Sequence, residues 1–197
     1  MTQYELLDRL VADNNGIVKT SDVLLAGVSK PTFYQYVKDH SMEQVSHGVY
    51  AAPDAWADGM YLLHARCEQA IFSHDSALFL HDLTDREPTQ HTVTVKTGYN
   101  PSCLTADGIK VYTIKRELHQ LGVCEMTTSF GHTVPVYDME RTVCDIIRSK
   151  NSIEMQTFQD AMKGYAKRKD KNLRRLMQYA AALRVETKLR QNLEVLL

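Results

Sequence analysis

Apolar residues at Tyr4, Leu7, Leu10 and Val11 recur at the spacing of one helix face, and Thr2 stands where a helix N-cap belongs. Asn14-Asn15-Gly16 stops that run with residues that accept the left-handed conformation found past helix ends. Ile17-Val18 reads as a short extended piece. Thr20 or Ser21 is placed to cap a second helix reaching Leu25, and Gly27 turns the chain. Ser29 is placed to cap a third helix with Pro31 in its first turn, where a missing N–H costs nothing; it runs to Asp39. Residues 42–45 and 48–51 are β-prone and joined at Ser46-His47, a hairpin with uncommon turn residues. Helix, strand, two helices and a hairpin is the order of a winged helix-turn-helix, and Ala52-Pro53-Asp54 marks its end.

The pattern then changes. Residues 62–70 and 76–83 read as helices, the second with Asp75 as its cap. Alternating, β-branched runs follow at 92–96, 109–115, 123–128 and 133–136, punctuated by Gly98, Asn100-Pro101 and Asp107-Gly108. Asp138 caps a helix over 140–148, and from Ser152 the pattern stays helical. Its stripes are Phe158, Ala161, Met162 and Tyr165; Leu173, Leu176, Met177 and Ala180; and Val185, Leu189, Leu193 and Leu196. The expected fold is α+β. Residues 1–55 form a winged helix-turn-helix DNA-binding domain, and residues 56–197 a mixed α/β domain ending in a helical bundle.

Composition changes this picture little: 44% hydrophobic and 24% charged residues are ordinary for a globular chain. No apolar run reaches membrane-spanning length, and MTQYELLDRL has no basic segment followed by an apolar one. No membrane partner and a cytoplasmic location are expected. Cys67, Cys103, Cys124 and Cys144 are widely spaced, which fits reduced, mostly buried thiols better than a disulfide frame or a zinc site.

Charge distribution says more than the net charge of −1. Residues 1–52 hold four basic against six acidic residues, a net −2. Residues 163–190 hold ten basic against two acidic, a net +8, which points to a polyanionic partner. Within the third helix, Phe33, Tyr36 and Val37 share a face suited to packing on Leu7, Leu10 and Leu24. The complementary face offers Lys30, Thr32, Tyr34, Gln35 and Lys38, with His47 at the hairpin tip. Lysines neutralise phosphates, while Gln and Thr hydrogen-bond base edges. A solvated surface explains the same residues, and the acidic balance of the segment argues against strong nonspecific DNA binding. In the C-terminal segment the basic surface comprises Lys163, Lys167, Arg168, Lys169, Lys171, Arg174, Arg175, Arg184 and Lys188.

No phosphate-loop, dinucleotide, nucleophile-elbow or HExxH pattern occurs, so no enzyme activity, cofactor or metal is expected. His74 and His81 lie seven residues apart, roughly 10 Å along a helix, too far to share one ion.

The stretch GIVKTSDVLLAGVSKPTF, closing with HGVYAAP, resembles the N-terminal domain of AbiEi-type antitoxins. AIFSHDSALFLHDL followed by HTVTVK is similar to that family's second motif, and YDMERTVCDIIR to its third. The resemblance implies a bacterial repressor whose winged helix binds inverted repeats in its own promoter. It also implies that the C-terminal domain counteracts a nucleotidyltransferase-like toxin in a type IV system of abortive infection and phage defence, without a stable complex. The DNA role then falls on Lys30, Thr32, Tyr34, Gln35, Lys38 and His47. Ser73 to Ser76, and Asp138, Glu140, Arg141, Thr142 and Asp145, become structural caps and braces. Too few positive charges in the winged helix make cooperative self-association on DNA, or basic charges from the second domain, part of the expectation. Two alternatives stay open for residues 56–197: neutralisation by direct toxin binding, or an enzymatic activity.

Overall fold

The computed structural model describes residues 2–56 and 58–193. The fold is mixed α+β, with ten α-helices and two β-sheets among the described residues. Two compact units divide the chain: residues 1–68 with 127–134, and residues 69–126 with 135–197. Compactness thus carries the first unit past the compositional break at 55/56 and adds a distant segment to it.

In the first unit, α1 (Gln3–Asp13) begins with a reciprocal cap: Thr2 Oγ1 accepts from the Glu5 N–H, and the Glu5 carboxylate accepts from the Thr2 N–H at 2.9 Å. β1 (Ile17–Lys19) runs directly into α2 (Thr20–Leu25), so Lys19 occupies the cap position without a side-chain bond. Thr20 and Ser21 therefore lie inside the helix and cap nothing; Ser21 Oγ instead donates to Asp22. α3 (Lys30–Asp39) starts as expected, with Ser29 Oγ accepting from the Thr32 N–H. β2 (Glu43–Ser46) and β3 (Val49–Ala51) form an antiparallel hairpin, and the sheet order is β1-β3-β2. Its turn is His47-Gly48 rather than Ser46-His47. Gly48 takes φ +70°, a conformation that costs glycine nothing and makes the turn an ordinary one.

The core of this unit joins Leu7, Val18, Val23, Val28, Phe33, Tyr36, Met42 and Tyr50. Leu24 is exposed, and Val23 fills the place expected for it, because the turn of α2 aims Val23 inward. α4 (Gly59–Arg66) begins three residues before the expected start, since Asp58 Oδ1 accepts from the Met60 and Tyr61 N–H groups. The other Asp58 oxygen accepts from Thr128 Oγ1 at 2.5 Å and lies 2.9 Å from His132 Nδ1. His132 Nε2 lies 3.0 Å from the Asn14 carbonyl, and the ring stacks on Tyr61. Asp58, Thr128 and His132 are all buried, so this satisfied polar set anchors residues 127–134 to their unit.

The second unit contains β4 (Ile71–Phe72), α5 (His74–Leu80), β5 (Thr92–Lys96), α6 (Ser102–Ala106) and β6 (Lys110–Ile114). β7 (Val123–Thr127) and β8 (Thr133–Tyr137) complete a sheet of order β6-β5-β4-β8-β7. β4 runs antiparallel to β5 and parallel to β8. α7 (Met139–Arg148), α8 (Met155–Lys167), α9 (Leu173–Ala182) and α10 (Glu186–Leu193) follow. Their core includes Val143, Ile146, Ile147, Phe158, Met162, Tyr165, Leu176, Ala180 and Leu189. Leu173, expected in the stripe, is exposed because it opens α9 beyond the packed turn. Leu196 as a residue, and Leu193 as a side chain, lie outside what is described.

The helix expected over 62–70 ends at Arg66, and β4 and α6 form at residues to which the sequence pattern assigned no element. α5 starts at His74, so Asp75 sits in its first turn and is not the cap. No disulfide joins the cysteines; Cys67 and Cys144 are buried, but Cys103 is exposed and Cys124 half-buried. No helix of the described residues is long and apolar enough to cross a membrane.

Candidate functional site

α3 has two faces, and its sequence makes both. Phe33 and Tyr36 are buried, which stabilises the helix by about 1.5–3 kcal/mol for each side chain removed from water. The Tyr36 hydroxyl donates to Asp8 at 2.7 Å, so its polar end is satisfied. Lys30, Tyr34 and Lys38 follow one another at four-residue steps and line up on the solvent side, with Gln35 beside them. All four are exposed, Tyr34 by 48%. Thr32 falls on the other flank, half-buried, with its hydroxyl 2.8 Å from Ser29 Oγ. The outward arc is thus Lys30, Tyr34, Gln35 and Lys38, and Thr32 belongs to the helix start. His47 is exposed in the hairpin turn.

An acidic residue sits inside this arc. Asp39 accepts from the Tyr4 hydroxyl at 2.7 Å and from Gln35 Nε2 at 2.8 Å. The Tyr4 bond first, then the Gln35 bond, hold its carboxyl below the ordinary range, so it stays ionised beside Lys38. Gln35 must leave Asp39 before its amide can meet anything else.

The expected basic surface is spread over α8, the loop after it, α9 and α10. Not all of its charges are available. Arg168 forms a two-bond pair with Asp170, both at 2.8 Å. Lys171 Nζ donates to the carbonyls of Ala166 and Arg168 at the end of α8, where a cation satisfies orphan acceptors. Arg175 lies 3.7 Å from Asp138. Lys163, Lys167, Lys169, Arg174, Arg184 and Lys188 are exposed.

The two later motifs are woven into the second unit. Ser76 and Thr92 exchange bonds, each hydroxyl accepting from the other's N–H, and Thr94 Oγ1 donates to Ser73 Oγ. His74 takes φ +48°, uncommon outside glycine, and is buried. Its ring nitrogens lie 3.0 Å from Ser73 Oγ and 3.1 Å from Ser149 Oγ. Burial first, then Lys110, Arg141 and Arg148, push it down to about 3, so it is neutral. His81 Nε2 lies 2.7 Å from the Tyr137 carbonyl, and among the described residues no group of three or more His, Cys, Asp or Glu side chains is placed to hold a metal ion.

In α7, Asp138 caps through the Arg141 N–H and accepts from Tyr179. Glu140 accepts from the Asn172 N–H, and Thr142 donates to the Tyr137 carbonyl. Arg141 is wholly buried. Its Nε donates to Asp145 at 2.9 Å, and its Nη1 to the Leu118 and Leu121 carbonyls at 2.9 and 2.6 Å. The guanidinium braces one carboxylate, as expected, and also two backbone carbonyls that no local pattern identifies. Burial pushes the Asp145 carboxyl up, with Arg141 pulling against it.

No protein-family model matches the chain, and no curated protein matches it. A crystal structure of the RV2827C protein from Mycobacterium tuberculosis is similar, with a TM-score of 0.59 over 89% of this chain and 70% of that chain. At 14% identity the similarity speaks for the fold alone.

Proposed function

We propose that this protein is a DNA-binding autorepressor of the winged helix-turn-helix type that also serves as the antitoxin of a type IV abortive-infection system. One observation carries the DNA reading: α3 buries Phe33 and Tyr36 while presenting Lys30, Tyr34, Gln35 and Lys38, and an antiparallel hairpin with exposed His47 follows directly. In this reading α3 enters the major groove and the hairpin contacts the neighbouring backbone. The antitoxin role rests on the motif resemblance, and the exposed basic residues of the C-terminal helices are its assigned surface.

The test uses the whole chain, because a fragment ending at residue 55 omits α4, Asp58 and residues 127–134 of the same unit. Fluorescence anisotropy compares the DNA upstream of the protein's own gene with random duplex. Tighter binding to the promoter supports the reading, and equal binding to both overturns it. Lys30→Glu with Lys38→Glu weakens binding to both duplexes and lowers the salt slope, whereas Gln35→Ala changes mainly the preference. For the antitoxin role, neutralising Lys167, Lys169 and Arg174 abolishes rescue from the co-expressed toxin; intact rescue removes that surface.

A further inference from the structure

His132 has an acceptor on each side of its ring. Nδ1 lies 2.9 Å from Asp58 Oδ2, and Nε2 lies 3.0 Å from the Asn14 carbonyl oxygen. That oxygen also accepts from the Ile17 N–H, and a carbonyl has room for two donors. A carbonyl oxygen cannot donate, so Nε2 must carry a hydrogen. A neutral imidazole has only one, which would leave Nδ1 bare against a carboxylate oxygen. Both contacts hold together only if a second proton lies between Nδ1 and Asp58. It belongs to the ring, because Asp58 already accepts from the Met60 and Tyr61 N–H groups and from the Thr128 hydroxyl. Donors to a carboxylate favour its charged form.

We propose that His132 is an imidazolium at neutral pH and works as a proton-operated latch, closing residues 127–134 onto the first unit while charged and letting them open when neutral.

The surroundings suit a cation. The His132 and Asp58 side chains are 3% and 1% exposed, so water cannot replace either bond. A charge buried to that degree is tolerated when it is paired and hydrogen-bonded, as this one is. The Tyr61 ring lies flat on the imidazole, with centres 4.2 Å apart and planes 12° apart, and turns its negative face to it. Burial, then Asp22 of α2 and Asp58, push the Tyr61 phenol up, so that ring stays uncharged. Lys19 of β1 lies 5.8 Å from the centre of the Tyr61 ring, and Glu68 pairs with it at 3.7 Å. The latch ties three distant places: the C-cap of α1 at Asn14, the N-cap of α4 at Asp58, and the segment between β7 and β8. A ring that loses its second proton must give up the carboxylate or the carbonyl. The stabilisation is therefore present at low pH and lost as pH rises. None of these residues belongs to α3 or the hairpin, so the latch is independent of the DNA reading.

The experiment is long-range proton–nitrogen NMR of the full chain with isotopically labelled histidine, His132→Gln identifying the resonances. At pH 7.5 a free imidazole is about one-tenth charged, whereas His132 is expected to show two N–H nitrogens. A bare ring nitrogen at that pH overturns the charge. Opening is read by chymotrypsin cleavage after the exposed Phe130, normalised to a peptide spanning 126–134. When pH is raised until one N–H is lost, normalised cleavage rises about tenfold, the loss of one charge-assisted hydrogen bond. Unchanged cleavage overturns the latch. Asp58→Asn keeps a capping side chain for α4. That variant is expected to show a bare His132 nitrogen at pH 7.5 and cleavage that is already fast. Both N–H groups retained in it overturn the pairing with Asp58.

Discussion

α3 and α7 are both ten-residue helices with basic and acidic side chains, and they use them in opposite ways. α3 keeps Lys30, Gln35 and Lys38 in solvent and buries only Phe33 and Tyr36. α7 buries every residue from Met139 to Ile147, including Glu140, Arg141 and Asp145. The difference lies in what surrounds each helix. α3 packs one flank on a small core, so its charges need no partners. α7 is covered by α5, α8 and α9, so each charge must be paired or hydrogen-bonded to be tolerated. A charged residue is therefore a recognition candidate on α3 and a structural brace on α7, and residue type alone does not separate the two.

The comparison breaks most clearly at Arg141. Arg141→Met leaves Asp145 buried and unpaired and two carbonyls without a donor, at a cost of about 3–5 kcal/mol in urea unfolding of the full chain. Adding Asp145→Leu recovers part of that loss; no recovery would show that the ion pair is not the brace. On α3 the same kind of change is nearly silent. Phe33→Ala costs about 3–5 kcal/mol by emptying the small core, whereas Lys38→Ala changes stability by less than about 0.5 kcal/mol. A loss at Lys38 as large as at Phe33 would mean that the outward face is structural after all.

A smaller effect than those at Arg141 and Phe33 is a dependence on pH. The folded protein holds His74 near 3, well below its ordinary 6.5, so below pH 6.5 the unfolded chain takes a proton that the folded one refuses. That contribution is present near neutral pH and lost as pH falls toward 3. The raised Asp145 works the other way below about 6, taking its proton in the folded state first. Comparing wild type with His74→Asn, a residue that tolerates positive φ, isolates the histidine. Between pH 7 and 5 the wild type loses about 2 kcal/mol more than the variant. Equal losses would show that His74 titrates normally.

Local signals were legible at some helix starts, and misleading at α2, α4 and α5. Thr2, Ser29 and Asp138 cap the helices that follow them, and residues 92–96 form the strand that their alternation indicates. The two faces of α3 follow from helical spacing alone. β4 was not legible, because a two-residue strand buried on both sides shows no alternation. Nor was the start of α5, where Ser76 and Thr92, far apart in sequence, exchange their bonds.

Sequence by itself determined where α1, α3 and α7 begin, which strands alternate and which side of α3 is apolar, since those depend on neighbours within a few residues. Tertiary structure alone decided that Arg141 is a buried brace, that Arg168 and Lys171 are already engaged, and that residues 127–134 join the first unit. It also decided that both ring nitrogens of His132 face acceptors. Each of these depends on partners brought together across the chain, and no local spacing encodes which charge meets water and which meets a carbonyl.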